Sequence, residues 1–368
     1  MYVETPTLES LVAAAPDVDP VQSPLLVLLA PAHMEIVPAL CEAFRRQGRR
    51  LMGGVFPGLI AHTALHRQGA IIEALPPGFV IARADLAGET LQWLDAPPSV
   101  RAGERAGALI LLDATAPRIS AFLADIFDRW GNRVTCCGGG AGQPDLAPLP
   151  AVFTEAGWLA QGGLVAVGPS RVAVEVRHGW RRLGPAFVAT RTRGAEIEEI
   201  NWEPAAAFYR NLVGGLDPAM RTAPFYPDIN GRFPLAMSRS GNEDVVRDPV
   251  RETPSGGVLF LSDVPENSVL HVMAATPEAM LTAASEGAVR LAERVSTGCP
   301  LILDCGSRAN ALGDRFVEEL ERVRHGLGAL VNPEVGLLGM LVLGEIASDG
   351  EGRIELYNKT LVLAAFHD

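Results

Sequence analysis

Apolar and polar positions near the start of the chain follow an order that predicts a strand, a helix and two further strands. Residues 25–30 form an uninterrupted apolar run, typical of a buried strand. The next segment has one apolar face at helical spacing, formed by Ile36, Val37, Leu40 and Phe44. A second strand then runs into the glycine pair Gly53 and Gly54, and a third begins at Ala70.

The same order recurs twice further along the chain. In the second copy, the strand at 108–114 precedes a helix whose apolar face is formed by Ile119, Phe122, Leu123, Ile126, Phe127 and Trp130. In the third, the strand at 301–306 precedes a helix with Leu312, Phe316, Leu320 and Val323 on one side. We interpret the three copies as an internal duplication of a strand-helix-strand-strand unit, with a period too long and irregular for a solenoid.

These elements predict an α/β (α+β) protein, in which helices pack on mixed or antiparallel sheets. A chain of 368 residues is longer than a single core usually supports, so we expect two domains. A middle helix at 204–213 has proline at its start and Gly214 and Gly215 at its end. We therefore expect an N-terminal extension at 1–23 and domains at 24–216 and 217–368.

Composition narrows the class of partner. The net charge of −12 opposes contact with phosphate backbones, so we expect no nucleic-acid partner. Five cysteines, two of them adjacent, suit a reducing cytosol better than a disulfide framework. The N-terminus lacks the pattern of a secretory signal, and no apolar run is long enough to span a membrane. We expect a cytoplasmic protein with no membrane partner.

The glycine-rich segment 136–142, CCGGGAG, invites comparison with phosphate-binding loops. It lacks the lysine and the serine or threonine of a Walker loop, and QPDLAPLP follows it instead of a helix. We interpret it as a tight strand end.

Six segments, in order and at similar spacing, resemble the N- and C-terminal halves of the FIST family of ligand-sensing domains. They are VRHGWRRLGPAFVAT (176–190), INWEPAAAFY (200–209), FLSDVPENSVLHVM (260–273), LILDCGSR (301–308), LLGMLVLGEI (337–346) and YNKTLVLAAF (357–366). The resemblance covers roughly residues 25–366. The segment GGVFPGLI (53–60) departs from the family, in which small hydroxyl residues usually follow the glycines.

The resemblance implies an intracellular sensory protein that binds a small molecule, such as an amino acid or another metabolite. Members of the family are often fused to kinase or cyclase outputs, so this chain is expected to act on a signalling kinase or cyclase in trans. Some members bind haem and sense nitric oxide, which is the alternative function. The cofactor is otherwise unknown. An enzyme is the least favoured class, because no spaced catalytic constellation occurs.

Three residues in the matching segments have side chains suited to the two ends of an amino acid. Arg308 could clamp a carboxylate, Glu345 could bind an amine and Asn358 could read a polar group. Cys305 and Arg308 follow a strand, where α/β sheets usually bind ligands. The alternatives are an ion-paired arginine, a carboxylate paired at a strand end, a turn-capping asparagine and a buried apolar thiol.

Three further residues complete the candidate ligand-binding set. His178 could contact a ligand or, if haem binds, ligate the iron, with His33 the second candidate; otherwise it bonds to backbone at a strand end. Trp180 could form a pocket wall or fill the core. Arg247 could line a cleft between the domains or form a salt bridge across it.

Overall fold

The computed structural model describes residues 1–101, 103–239, 243–348 and 352–367. Its strands, in chain order, are β1 (Tyr2–Val3), β2 (Leu25–Leu29), β3 (Leu51–Val55), β4 (Gly58–His62), β5 (Ala64–His66), β6 (Ala70–Ala74), β7 (Val80–Asp85), β8 (Gln92–Trp93), β9 (Ala106–Asp113), β10 (Val134–Ala141), β11 (Val152–Thr154), β12 (Gly157–Leu159), β13 (Gly162–Gly168), β14 (Arg171–Arg177), β15 (Arg181–Arg193), β16 (Glu196–Ile200), β17 (Glu203–Pro204), β18 (Leu235–Met237), β19 (Val245–Arg247), β20 (Pro249–Glu252), β21 (Val258–Phe260), β22 (Val269–Ala274), β23 (Cys299–Cys305), β24 (Leu337–Val342), β25 (Glu345–Ser348), β26 (Ile354–Tyr357) and β27 (Leu361–His367).

The α-helices are α1 (Leu8–Ala14), α2 (Val37–Arg46), α3 (Ile119–Trp130), α4 (Ala205–Leu216), α5 (Asn230–Arg232), α6 (Pro277–Arg294), α7 (Gly306–Leu312) and α8 (Phe316–Leu327). Short 3₁₀ turns cover Pro31–Ile36, Gly131–Arg133, Pro218–Arg221, Gly313–Arg315 and Gly328–Leu330, and a π-helical turn covers Phe225–Ile229. Within the described ranges, no helix is both long and apolar enough to cross a bilayer.

Three equivalent units form most of the molecule, which confirms the recurring units expected from the sequence. In the first, β2 and β3 are parallel neighbours, and β6 pairs antiparallel with β2. In the second, β9 and β10 are parallel, and β13 pairs antiparallel with β9. In the third, β23 and β24 are parallel, and β27 pairs antiparallel with β23. A helix or helix pair joins the parallel strands each time, which is how parallel neighbours must be connected.

Each unit donates its next hairpin to a neighbouring unit, and the exchange is cyclic. The hairpin β4–β5 of the first unit pairs with β24 of the third. The hairpin β11–β12, which follows the second unit's β10, pairs with β3 of the first. The hairpin β25–β26 of the third unit pairs with β10 of the second. The second and third sheets therefore combine strands from both sides of residue 216, and β1, from the expected extension, pairs with β6 of the first unit.

The central core lies between the three sheets. Alternate residues on a strand point to opposite faces, so Leu28 and Leu303 face the central core, while Val27 and Ile302 face outward. The outer faces are covered by helices: α1 and α2 on the first sheet, α3 on the second, and α6 with α8 on the third. The strands are apolar on both faces because both are buried.

The glycines of β3 and β10 allow residues of neighbouring strands to pack closely against them. A Cβ on Gly53 would lie 2.3 Å from Phe153 of β11, and one on Gly139 would lie 2.4 Å from Val342 of β24. Both distances are too short for real atoms, so only glycine fits. The CCGGGA segment forms the carboxyl-terminal six residues of β10 and therefore includes the end of that strand.

A fourth, antiparallel sheet has the order β19-β18-β22-β15-β16-β21-β20, with α4 packed beside it. Here the helix expected to stop at Gly214 continues to Leu216. Gly214 is buried, and a Cβ on it would lie 2.3 Å from Arg221, so the glycine serves close packing instead of termination. In the third unit the single expected helix is divided into α7 and α8 at Gly313, whose φ is +55°.

The thiols offer a test of the packing. All five cysteines are free, and only Cys299 is exposed. Burial raises the pKa of Cys41 and of Cys136 to about 12, and that of Cys137 further. Burial also raises the pKa of Cys299, but Cys299 is the one exposed thiol. Because the reagent must reach the sulfur, we expect Ellman's reagent to label Cys299 alone in the native protein and all five thiols in urea.

The Cys299→Ser variant is the matched control for this thiol titration. It should lose the native labelling while unfolding at the same urea concentration. Rapid labelling of a second thiol in the native variant would contradict the packing described above.

Candidate functional site

A cluster of buried polar side chains lies at the carboxyl end of β23, where the third unit meets the fourth sheet. We call it the buried polar cluster. Its members come from β23, the start of α7, the turns at 248, 262 and 358–360, and strand β25: Asp248, Ser262, Asp304, Cys305, Ser307, Arg308, Glu345, Asn358, Lys359 and Thr360. All of them are buried except Ser307, which is half-buried. Buried polar groups require partners, so the contacts of each member indicate its role.

Arg308 is completely buried and its guanidinium is fully engaged. Nε and Nη2 bind the carboxylate of Glu319 on α8, with Nε 3.2 Å from each oxygen. Nη1 donates to the carbonyl of His178 at 2.6 Å, and Nη2 also donates to the carbonyl of Met280 at 2.9 Å. These bonds join α7, α8, α6 and the β14–β15 connection. In this state Arg308 has the contacts of a structural ion pair rather than of a ligand clamp.

Two carboxyl groups in the buried polar cluster lack hydrogen-bond partners for some of their oxygens. Neither oxygen of Asp304 receives a hydrogen bond from a described residue, although Arg308 Nε lies 3.7 Å from Oδ1. Burial, and then the neighbouring Glu319 carboxylate, raise the pKa of Asp304 well above its usual range. Burial, and then Cys305, do the same to the pKa of Glu345. Burial therefore favours the protonated, uncharged form of both carboxyl groups.

Glu345 and Asn358 lie in the same cluster through the turn before β27. Glu345 Oε2 accepts the backbone N–H of Thr360 at 3.1 Å, and the Thr360 hydroxyl donates to the carbonyl of Asn358 at 2.7 Å. The side chain of Asn358 accepts a 3.3 Å hydrogen bond from Ser262. The structure thus brings Glu345 and Asn358 close together. The Glu345 side chain binds the turn before β27, and the Asn358 side chain binds Ser262.

A chain of polar contacts runs from Cys305 to Lys359. The Cys305 thiol lies 3.1 Å from the hydroxyl of Ser307, which donates to Asp248 at 3.0 Å. Asp248 in turn lies 3.3 Å from the ammonium of Lys359. Lys359 also donates to Asn230 Oδ1 at 2.9 Å. The chain therefore ends on a buried ammonium that has one carboxylate and one amide as polar partners.

Both ring nitrogens of His178 have neighbours. Nδ1 accepts the backbone N–H of Trp180 at 2.8 Å, and Nε2 lies 2.9 Å from Glu243 Oε2, although the geometry of that contact falls short of a hydrogen bond. An axial haem ligand needs a free nitrogen lone pair, so His178 does not fit that role. His33 has a buried Nε2 without a partner among the described residues, but it lines neither the groove beside α6 nor the cavity beside α3.

Metal sites find no support elsewhere. Across the described ranges, no group of three or more His, Cys, Asp or Glu side chains is arranged to hold a metal ion.

Trp180 separates the buried polar cluster from a large surface groove. The groove has a volume of about 1100 Å³ and lies between β14, the β14–β15 connection and helix α6. Trp180 is 5% exposed and forms part of the groove wall. Within the buried polar cluster, Lys359 Nζ lies 5.5 Å from the centre of the Trp180 ring. Its indole N–H is buried and has no partner among the described residues.

The groove carries two arginines that are available to a ligand. Arg177 and Arg294 also line it, but both form ion pairs with the single carboxylate of Glu175, at 2.8 and 2.7 Å. Arg181 and Arg290 are exposed and form no ion pair with any described residue. The groove therefore offers guanidinium donors beside an indole, a combination suited to a small organic anion.

Arg247 lies at a second cavity of about 580 Å³, between α3 and the fourth sheet. Its Nε donates to the carbonyl of Asp263 at 2.9 Å, and its Nη1 donates to the carbonyls of Val246 and Leu356, at 3.1 and 2.8 Å. Burial lowers the pKa of Arg247 to about 10. No described carboxylate lies within ion-pair distance of it, so it binds backbone rather than a salt-bridge partner.

Sequence reasoning overlooked Lys359, Asp248, Arg181 and Arg290. One signal for Lys359 was available: it is the only lysine among the 31 lysine and arginine residues of the chain. The other three lie in polar segments whose local pattern resembles any exposed loop or helix face. Only the folded chain shows that Asp248 is buried beside Lys359 and that the two arginines line the groove.

Comparison of the sequence with known proteins identifies two consecutive family domains in this chain. A search of the curated proteins finds no match to the chain. Sequence models of the FIST N domain and the FIST C domain match residues 25–203 and 205–348. FIST domains are sensory domains. The matches cover most of the chain, which therefore belongs to the FIST family.

Proposed function

We propose that the protein is a cytoplasmic sensor that binds a small carboxylate-bearing metabolite, such as an amino acid, in the groove beside α6. The observation that carries this proposal is the pair of groove arginines, Arg181 and Arg290, which lack ion-pair partners among the described residues and lie beside Trp180. The family is sensory, and the role proposed here is binding rather than turnover.

The shape and charge of the groove support a ligand of metabolite size. A volume of about 1100 Å³ is at the upper end of the range for small-molecule sites. Glu243 and Glu286 also line it, so a cationic group on the ligand would find carboxylates near the arginines that hold its acid. An amino acid carries both charges, which makes it the ligand class that matches this lining best.

The groove also lies where occupancy could change the arrangement of the fold. Its walls come from the third sheet, from α6 and from the fourth sheet at Leu183 and Ala274. A ligand that contacts all three favours the arrangement in which they are closest. A separate kinase or cyclase would read that change. The free state of all five thiols supports a reducing compartment.

Isothermal titration calorimetry with a panel of amino acids and organic acids tests the proposal. We expect Arg181→Gln and Arg290→Gln each to weaken binding by about tenfold, which is the free energy of one charge-assisted hydrogen bond. Arg324→Gln makes the same charge change on an exposed arginine of α8 that does not line the groove. Its affinity should equal that of the wild type.

Two results would contradict the proposal. One is a ligand whose affinity is equally reduced by Arg324→Gln, because the effect would then come from net charge alone. The other is a Soret band that appears in protein expressed with a haem precursor and is lost in the His178→Ala variant, because the protein would then sense its ligand through haem.

A further inference from the structure

Lys359 has an exceptional position in both the sequence and the fold. It is the only lysine of the chain, and the other 30 of the 31 lysine and arginine residues are arginines. The chain uses arginine even where a cation is buried, at Arg308 and Arg247. Arginine keeps its proton in proteins, whereas lysine can release one and become a nucleophilic amine. A lysine retained at one buried position alone points to a need for the amine itself.

The surroundings of Lys359 are those of a placed nucleophile. Its side chain is 1% exposed, and its backbone has a φ of +54°, a conformation that residues other than glycine seldom adopt. Asp248 Oδ1, which receives no hydrogen bond from a described residue, lies 3.3 Å from the ammonium and can accept its proton. Asn230 holds the ammonium from another side at 2.9 Å. Strained backbone of this kind is concentrated at functional sites.

Trp180 lies beside both this amine and the groove. Trp180 packs its ring against Lys359 and forms part of the groove wall. The indole N–H has no partner among the described residues, so a rotation of Trp180 breaks no hydrogen bond of its side chain. Arg181, the next residue, lines the same groove and can draw an acid toward the opening.

We propose that Lys359 is a reactive amine that captures short 2-oxo acids by reversible condensation with their carbonyl group. This inference rests on the proposed sensory role and names a narrower ligand class for it. The groove arginines would draw in the carboxylate, and the carbonyl carbon would pass Trp180 to reach the amine.

The condensation balances without any further reagent. Asp248 takes one proton from the ammonium, and the neutral amine attacks the carbonyl carbon to form a C–N bond. A second N–H proton moves to the carbonyl oxygen, and Asp248 returns its proton to the same oxygen, which leaves as water. The product is a protonated imine. It carries the same positive charge as the original ammonium, so the buried ion pair with Asp248 is kept.

Reductive trapping of the whole protein tests this inference. We expect glyoxylate with sodium cyanoborohydride to attach one carboxymethyl group to Lys359, roughly tenfold faster than to the N-terminal amine. Peptide mapping by mass spectrometry distinguishes the two amines, which are the only primary amines of the chain. Lys359→Arg keeps the positive charge and should retain only the N-terminal label. Asp248→Asn should slow the labelling of Lys359, because the proton acceptor is gone.

The outcomes separate this inference from the proposed function. Label on the N-terminal amine alone in native protein, with Lys359 labelled only in urea, overturns the reactive amine even if calorimetry shows a groove ligand. If Lys359 is labelled equally in the wild type and in the Arg181→Gln, Arg290→Gln double variant, Lys359 is a reactive amine. The groove arginines then play no part in bringing the oxo acid to it. The deciding measurement is the labelling of Lys359 in the native wild-type protein, so the test remains valid if a variant does not fold.

Discussion

Replacing Arg308 with alanine is expected to lower the free energy of unfolding by about 3–5 kcal/mol, the usual effect of breaking a buried ion pair. The change leaves the Glu319 carboxylate buried without its cation, and it leaves the carbonyls of His178 and Met280 without their donor. Urea unfolding followed by circular dichroism measures the loss. Arg324→Ala, at an exposed position, should change stability by less than about 0.5 kcal/mol.

A double variant separates the charge from the packing. Arg308→Met with Glu319→Leu removes both charges, so it should recover a large part of the stability lost in Arg308→Ala. A double variant no more stable than the single one would show that the two carbonyl contacts, rather than the ion pair, dominate. Stability equal to wild type in Arg308→Ala would contradict the structural role and return Arg308 to the candidate ligand contacts.

Replacing Asp304 with asparagine is expected to stabilise the fold near neutral pH, because an amide is uncharged in this buried site without taking up a proton. In the unfolded chain an aspartate ionises above about pH 4. In the fold its pKa is raised, mainly by burial, so the native state holds the extra proton. Stability of the wild type should therefore fall as pH rises above about 4, until the folded carboxyl itself ionises.

The amide has no such proton to lose. The advantage of Asp304→Asn over the wild type should thus be smallest in acid and grow with pH, as measured by urea unfolding at several pH values. Asp314→Asn, on an exposed turn, should show no such trend. If Asp304→Asn is less stable than the wild type at every pH, the carboxylate must be charged in the fold and must have a partner.

Local periodicity sufficed to predict the three units, because each buries its own helix on its own parallel strands. Thus the helix at Ile119–Trp130 matches its pattern to the residue. The hairpin exchange could not be predicted in the same way. Pairing of β4 with β24 joins residues such as Leu59 and Met340, which are far apart in sequence, and an apolar strand does not specify which apolar neighbour it takes.

Six of the seven candidate site residues come from segments that meet in the fold, whereas Arg247 lies at the second cavity, and the sequence did not predict the contacts of any of them. Arg308, Glu345, Asn358, Cys305, His178 and Trp180 are all connected through the buried polar cluster and the wall beside it. The sequence could not show that Glu319, one turn into another helix, occupies the guanidinium of Arg308. Nor could it show that the groove arginines are Arg181 and Arg290, since pairing of exposed charges depends on the tertiary structure.

The cyclic exchange of hairpins has a consequence for how the chain folds and for how it can be divided. The outer edge of β3 pairs with β11, that of β10 with β25, and that of β24 with β4. During synthesis, the first sheet is complete once β12 has left the ribosome, but β10 has an unpaired edge until β25 follows it. The second and third sheets must therefore close late, through contacts of long sequence separation, which slows folding. Fragments divided near residue 204 would each expose strand edges that only the other fragment covers, so they should recover the fold when mixed and aggregate when kept apart.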